Sequence, residues 1–200
     1  MNDLGYFYGG LSGKSKNDFD NGDAKYITYM NVYSNISVNL DAAEKVNVSE
    51  NEKQNTIQYG DILFTGSSET RDECGMTAVV TDIVKESIYL NSFCFGFRMN
   101  DNSLFNVHFL KHLFRGQALR DQIIKTASGV TRFNVSKKKM LKVIIPVPPI
   151  EEQNKIADIL DRFETLTNDL QLGLPAEIEA RRKQYEYYRE KLLTFERKAA

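Results

Sequence analysis

Tryptophan is absent from this chain of 200 residues, and cysteine, histidine and proline are scarce, with two, two and four copies. Cys74 and Cys94 fit no CxxC or zinc-type spacing, so neither a disulfide framework nor a structural zinc site is expected, and both thiols should be reduced. No run approaches the roughly 20 apolar residues that cross a bilayer, and MNDLGYFYGGLSGK has no basic start followed by an apolar core. The expectation is a cytosolic chain with no membrane partner. The phosphate loop GxxxxGK[ST] and the metalloprotease motif HExxH are both missing. The glycine-rich LGYFYGGLSGKS lacks phosphate-loop spacing and does not sit between a strand and a helix. The [DNS]PP[YFW] motif of amino-methyltransferases is missing too, since the one Pro-Pro pair reads Val147-Pro148-Pro149-Ile150. His108 and His112 are four apart and share a helix face, suitable for one metal, but no third ligand lies nearby. No metal and no catalytic residue is assigned, and nothing marks a Ser–His–Asp or Cys–His set. These absences describe a binding protein without an active site of its own.

Net charge is also lacking, at −1, but it is unevenly spread. Between positions 111 and 142, nine Lys or Arg stand against the single acid Asp121, a local charge of +8. Between 41 and 73, eight acids stand against three bases, a local charge of −5. A basic block in a near-neutral chain is what a phosphate backbone selects, although solvated helix faces produce the same pattern.

Residues 1–148 read as a mixed α/β body. Aromatic and β-branched runs recur at Leu4–Tyr8, Lys25–Val32, Asp61–Thr65, Thr77–Val84, Ile88–Asn91 and Phe93–Arg98 between glycine-marked turns. Asp41–Gln58 is acidic, polar and without a period, which predicts a loop. Apolar residues at 105, 109, 110, 113 and 114, then at 119, 123 and 124, have helical spacing, with Gly116 as a joint and Gly129 as a stop. A strand near Arg132–Val135, a Ser-capped turn SKKKML and a last strand Val143–Val147 complete the body. Pro146, Pro148 and Pro149 then end extended structure, and Pro149 with Glu151 and Glu152 suits a helix start.

Residues 149–200 form a helical appendage, with helices expected at about 150–171 and 175–198. Ile156, Ile159, Phe163, Leu166 and Leu170 step by 3 and 4, as a coiled-coil seam does, and Leu160 widens the stripe. Gly173-Leu174-Pro175 interrupts it. Beyond the break Ile178, Arg181, Tyr185, Tyr188, Leu192 and Phe195 repeat the spacing. Such a seam must be covered, either by its own second helix or by another chain. The fold class is therefore α+β: a globular mixed body followed by a long helical arm.

IPVPPIEEQNKIADILDRFETL resembles the start of the conserved region of specificity subunits of type I restriction–modification systems, with its I-P-[LV]-P-P-[LI]-x-E-Q corner and I-x-x-[IL]-L-D helix. GLPAEIEARRKQYEYYREKLLTF resembles the second part of that region. LGYFYGGLSGKSKNDF, KYITYMNVYSN, GDILFTGSSET, LNSFCFGFR and SGVTRFNVSKKKM are similar to successive segments of one target recognition domain. The resemblance implies a domain at 1–148 that reads one half of a split double-stranded DNA site. It also implies helices that set spacing and dock modification subunits. S-adenosylmethionine, Mg and ATP would then belong to the modification and restriction subunits, with no cofactor in this chain. Family members usually carry two recognition domains, and this chain has one. The expectation is a homodimer, with the seam residues at the dimer or partner interface and a palindromic split site.

Base-reading positions vary with the target, so candidates come from loop chemistry. Arg suits guanine, Asn and Gln adenine, and Ser or Thr either. The candidates are Ser12, Lys14, Ser15 and Lys16 in GGLSGKSKND; Ser67, Ser68, Thr70 and Arg71 in GSSETRDE; and Thr131, Arg132, Lys137 and Lys138 in SGVTRFNVSKKK. The alternative function is a protein-interaction scaffold whose basic patch is incidental. An enzyme built around His108 and His112 ranks third.

Overall fold

A computed structural model describes residues 1–19, 22–49, 51–168 and 175–195. β1 (Gly5–Gly9), β2 (Ala24–Ile27), α1 (Tyr29–Ser34), β3 (Glu44–Val46), β4 (Ile62–Thr65), β5 (Ser67–Ser68), β6 (Thr77–Val79), β7 (Ile88–Leu90) and β8 (Cys94–Met99) come first. They are followed by α2 (Val107–Leu113), α3 (Gln117–Ile124), β9 (Ala127–Ser128), β10 (Phe133–Val135), α4 (Lys137–Met140), α5 (Ile150–Asn168) and α6 (Pro175–Leu193). The strands form three sheets, ordered β1-β8-β4-β6, β3-β2-β7 and β5-β10-β9.

The first sheet is antiparallel and buried on both faces. Successive side chains of a strand point to opposite faces, so Ile62 and Phe64 of β4 enter one core cluster and Leu63 the other. The first cluster joins Phe64, Phe95 and Phe97 to Phe109, Leu110, Leu113 and Phe114, on or just after α2. The second joins Leu63, Ala78 and Cys94 to Ile27, Val32 and Leu90. Gly96 is required where Tyr8 crosses β8, because a Cβ there would overlap the Tyr8 ring. The ring's hydroxyl donates to Asp61 Oδ2 at 2.6 Å, and Arg98 clamps the same carboxylate through Nε and Nη2 at 2.8 and 2.7 Å.

Four expected elements differ, the first being the Thr77–Val84 run, whose strand stops at Val79. Lys25–Val32 is a strand only in its first half; the Thr28 hydroxyl accepts from the Asn31 amide and starts α1, so a cap overrides β-branched content. The 41–58 stretch contains β3, which pairs antiparallel with β2. Val143–Val147 is extended but pairs with no strand. Val143 and Ile145 point inward while Ile144 and Val147 are exposed, so the alternation is real. The Gln122 side chain satisfies both the N–H and the carbonyl of Ile144, at 2.9 and 3.2 Å, in place of a ladder.

The turn into α5 is held by Gln153, whose side chain is inaccessible to solvent. Its Nε2 donates to the carbonyls of Leu104 and Pro148 at 3.0 and 2.8 Å, and its Oε1 accepts from the Asn106 amide at 2.9 Å. From there α5 lies on α2. Ile156 is 3% exposed and Leu160 fully buried, whereas Ile159 and Leu166 are 41% and 48% exposed. The expected seam is thus corrected: Ile156 belongs to the body's core and cannot face a second chain. Spacing defines a stripe, and α2 was available to cover part of it. α6 lies alongside α5, with Phe163 stacked on Tyr188 at 5.2 Å, and returns to the body. There Leu193 is buried, and Tyr185, Leu192 and Phe195 pack on the first core cluster. The chain therefore reverses between the two helices. Leu170 and the Gly173-Leu174 break lie outside the described residues, as does the side chain of Ile178.

His112 joins the three helices. Its Nε2 lies 2.6 Å from Asp161 on α5 and its Nδ1 3.0 Å from the Tyr185 hydroxyl on α6. With Asp161 ionised, the assigned tautomer donates from Nε2 and accepts at Nδ1. Lys111 adds bonds to Asp161 and Glu164 at 2.9 and 2.7 Å, and His108 approaches Asp161 at 2.9 Å. Burial lowers the His112 pKa against the pull of Asp161. Burial alone would raise Asp161, but hydrogen bonds from His112 and Lys111 outweigh it and bring the carboxyl to about 2. Both groups hold fewer protons folded than unfolded, so their contribution to stability is whole above about pH 6.5, where a free imidazole is neutral, and shrinks as pH falls. Asp161→Ala should cost about 1–3 kcal/mol in urea unfolding at pH 7, and the wild-type chain should lose stability between pH 7 and 5. A stability flat across that range would contradict this account of the helix junction.

Candidate nucleic-acid interface

One end of the four-stranded sheet gathers the polar loops. Gly9 pairs with Phe95 and Thr65 with Cys94, so the loop after β1, the loop after β4 and the turn before β8 all leave the sheet at the same end. The turn is tied to its neighbour where the Gly66 amide donates to the Phe93 carbonyl at 2.7 Å. The β5-β10-β9 sheet adds the hairpin 129–132 to this end, because Ser68 pairs with Phe133 and Ser67 with Asn134. Gly129 allows the hairpin at φ +150°, where a Cβ would meet the Arg132 carbonyl.

The predicted residues fall into distinct environments. The β5–β10 pairing sets Ser67 and Ser68 opposite Asn134 and Phe133 and brings Arg132 onto Ser67; Thr131 lies in the hairpin, Thr70 follows β5, and Arg71 faces α3 beside Arg120 and Gln117. Ser67 and Ser68 are buried rather than presented at the surface. The Ser67 carbonyl accepts from the Tyr29 hydroxyl at 2.8 Å, and its hydroxyl accepts from Arg132 Nε at 3.1 Å. The Ser68 hydroxyl accepts from the Thr70 amide, while Thr70 donates to Glu73. Thr131 and Arg71 are exposed. Ser12 and Lys14 share the sheet end but are engaged elsewhere. Ser12 bonds Gln54, and the Lys14 ammonium, 6% exposed, pairs with Glu52 at 2.6 Å. That pairing, with Gln54 and the Ser49 amide, holds the Glu52 carboxyl near 2. Ser15 bonds Asp18, and Lys16 is exposed. Lys137 and Lys138 follow the Ser136 cap in α4. Lys137 lies 5.2 Å from the Phe95 ring, and partial burial lowers its pKa.

The basic block is smaller at the surface than in the sequence. Lys111 is buried among Asp161 and Glu164. Arg115 donates to the carbonyls of Thr77, Val32, Tyr33 and Asn35, closing the end of α1; burial brings it to about 10, still charged at neutral pH. Arg120 donates to the carbonyls of Gly75, Asp72 and Cys74. What remains exposed is Lys125, Arg132, Lys137, Lys138, Lys139 and Lys142.

Sequence reasoning missed Phe93, which it placed inside a strand. The ring is 59% exposed, and the Arg132 guanidinium lies over it at 5.6 Å. The hairpin tip, Val130, is 93% exposed. Sequence reasoning also missed the carboxylates that face the paired histidines. His112, Asp161 and Glu164 hold ligand-type atoms within 4.8 Å of one another. The Lys111 ammonium already bridges the two carboxylates, in the position a metal cation would take. Cys74 and Cys94 are both free and buried; burial pushes the Cys94 thiol to about 12, which makes it inert. Among the described residues, no helix is long and apolar enough to cross a membrane.

Residues 1–180 match the type I restriction modification DNA specificity domain. A specificity subunit of an Escherichia coli type I restriction enzyme is 45% identical over 91 residues, covering 44% of this chain and 22% of that protein. A putative type I restriction enzyme specificity subunit of Haemophilus influenzae is 36% identical over 146 residues, 72% of this chain and 34% of that one. Among solved structures, the HsdS subunit from Thermoanaerobacter tengcongensis shares the fold with a TM-score of 0.59 at 17% identity, over 86% of this chain and 43% of that one. The type I restriction-modification S subunit from M. genitalium does so with 0.53 at 16%, over 85% and 39%. The chain thus spans less than half the length of these relatives. On the match across residues 1–180, the chain belongs to the type I restriction modification DNA specificity family.

Proposed function

We propose that this chain is a sequence-reading subunit of a type I restriction–modification assembly, in which its body contacts one half of a split double-stranded DNA site. The observation that carries the reading is the convergence of three polar loops on one sheet end, in a chain of the specificity family. Exposed Arg132 and Phe93 stand there, and the lysines of α4 follow the β10 strand that Arg132 precedes. Phosphate contacts position a protein on DNA and base contacts specify the sequence. The lysines of α4 take the first role and the hairpin tip the second. Methylation and cleavage belong to modification and restriction subunits, which carry S-adenosylmethionine, Mg and ATP, and the assembly acts in the cytoplasm.

The helical pair sets the distance between two readers and docks the modification subunits. Two copies pair through the outer faces of their helices, where Ile159, Leu166 and Tyr187 are exposed, and so present two bodies to a two-fold symmetric site. The domain division follows from this: 1–148 reads, and 149–200 assembles.

Three measurements test the proposal. Lys137→Ala combined with Lys138→Ala should weaken binding to all duplexes alike and reduce the slope of log affinity against log salt by roughly one per lost phosphate contact; an altered site preference would contradict the phosphate role. Light scattering at micromolar concentration should give a dimer, and Ile159→Glu with Leu166→Glu should give a folded monomer. A wild-type chain that stays monomeric with and without DNA would end the dimer proposal, and failure to co-purify with a co-expressed modification subunit would end the docking proposal.

A further inference from the structure

Arg132 differs from most arginines of this chain. Arg98, Arg115, Arg120, Arg181, Arg182 and Arg189 are each engaged with a carboxylate or with backbone carbonyls. Arg132 has one hydrogen bond among the described residues, from Nε to the buried Ser67 hydroxyl, and its guanidinium lies over the exposed Phe93 ring. Both supports are themselves fixed. Ser67 is 5% exposed and paired in β5. Phe93 is held through its carbonyl by Gly66 and through its amide by Asn91 Oδ1 at 2.9 Å. The guanidinium is thus oriented before any ligand arrives, and no hydrogen bond among the described residues engages Nη1 or Nη2.

We infer that Arg132 reads a guanine end-on through Nη1 and Nη2, with Ser67 and Phe93 as its positioning residues. The inference rests on the DNA-reading proposal and names the base. Two parallel donors match an edge bearing two acceptors, and in the major groove guanine offers O6 and N7 side by side. Adenine sets its N6 donor against one of the two, thymine offers one acceptor and a methyl, and cytosine offers a donor. A phosphate also has paired acceptor oxygens. The surroundings favour a base, because Arg132 is flanked by Phe93 and by the hairpin tip at Val130, which suit the apolar edges of a groove. The lysines of α4 serve the backbone.

The test is to map N6-methyladenine in a host expressing the full chain with its modification subunit, and then to measure binding to that motif. The half-site should contain a G·C pair at which Arg132→Ala loses discrimination by roughly 5- to 150-fold, the worth of one good bidentate contact. Ser67→Ala and Phe93→Leu should relax the same position to a smaller extent, with the other positions intact. The wild-type chain should bind a duplex carrying 7-deazaguanine at that position more weakly, whereas Arg132→Ala should not distinguish the two duplexes. This comparison needs no substitution in the core. A uniform loss of affinity with a salt slope reduced by about one and an unchanged motif would make Arg132 a phosphate contact and overturn the inference. A half-site without a G·C pair, or one relaxed elsewhere by these variants, would also overturn it. No motif at all from the wild-type assembly would remove the DNA-reading proposal, and this inference with it.

Discussion

Gln153 determines where the helices leave the body. A buried amide with no access to water must find its partners inside the protein, and Gln153 finds three backbone groups, at Leu104, Asn106 and Pro148. These belong to the two segments that meet at the corner: the approach to α2 and the proline run that precedes α5. Once that amide is seated, α5 has no choice of neighbour. Its next two turns bring Ile156 and Leu160 onto α2, and Asp161, the residue after Leu160, falls beside His112. The proline run stiffens the corner, but proline restricts φ without selecting a direction; the direction comes from Gln153. A Glu at this position would offer the two carbonyls one donor at most when protonated and none when ionised, so the Glu-Gln order at 152 and 153 has a physical cause.

The His112 cluster extends the same constraint to α6. An imidazole with no solvent exposure is satisfied here only when α5 supplies Asp161 and α6 supplies Tyr185. Either helix alone leaves a buried nitrogen unpaired, which costs about 1–3 kcal/mol. The two helices therefore dock together, and the large apolar residues left exposed on them, Ile150, Ile159, Leu166 and Tyr187, are those that neither α2 nor the companion helix covers. The stripe visible in the sequence is in this way divided between two jobs. Its α2-facing members hold the helices to the body, and its outward members stay open.

Elements governed by local rules were legible in the sequence. β1, β4 and β8 follow aromatic and β-branched runs with glycine punctuation, α2 and α3 follow helical spacing with a joint at Gly116, and α4 follows its Ser136 cap. Elements decided by a distant partner were not. The half-strand at Lys25–Val32 stops because Thr28 caps a helix. The last extended segment finds Gln122 in place of a strand. His112 meets Asp161 across 49 residues, a distance no spacing rule spans. The basic block shows the same limit: Lys111, Arg115 and Arg120 serve carboxylates and carbonyls inside the fold, although in sequence they are indistinguishable from Lys137 and Lys138. Phe93 was hidden for a related reason. It adjoins Phe95 and Phe97 in a run that reads as strand, and only the sheet's end at Cys94 leaves its ring outside.

The two uses of arginine in one block follow from what each side chain meets. Arg115 and Arg120 lie where backbone carbonyls face inward without ladder partners, and a guanidinium with five donors can satisfy several of them at once. Those residues serve the fold's own carbonyls. At Arg132 the hairpin offers one hydroxyl and one aromatic face. These fix the plane of the group while leaving its outer donors open, so less conformational freedom is lost when a partner binds. On the proposed reading, recognition depends less on how many positive charges the chain carries than on which of them the fold leaves half-satisfied.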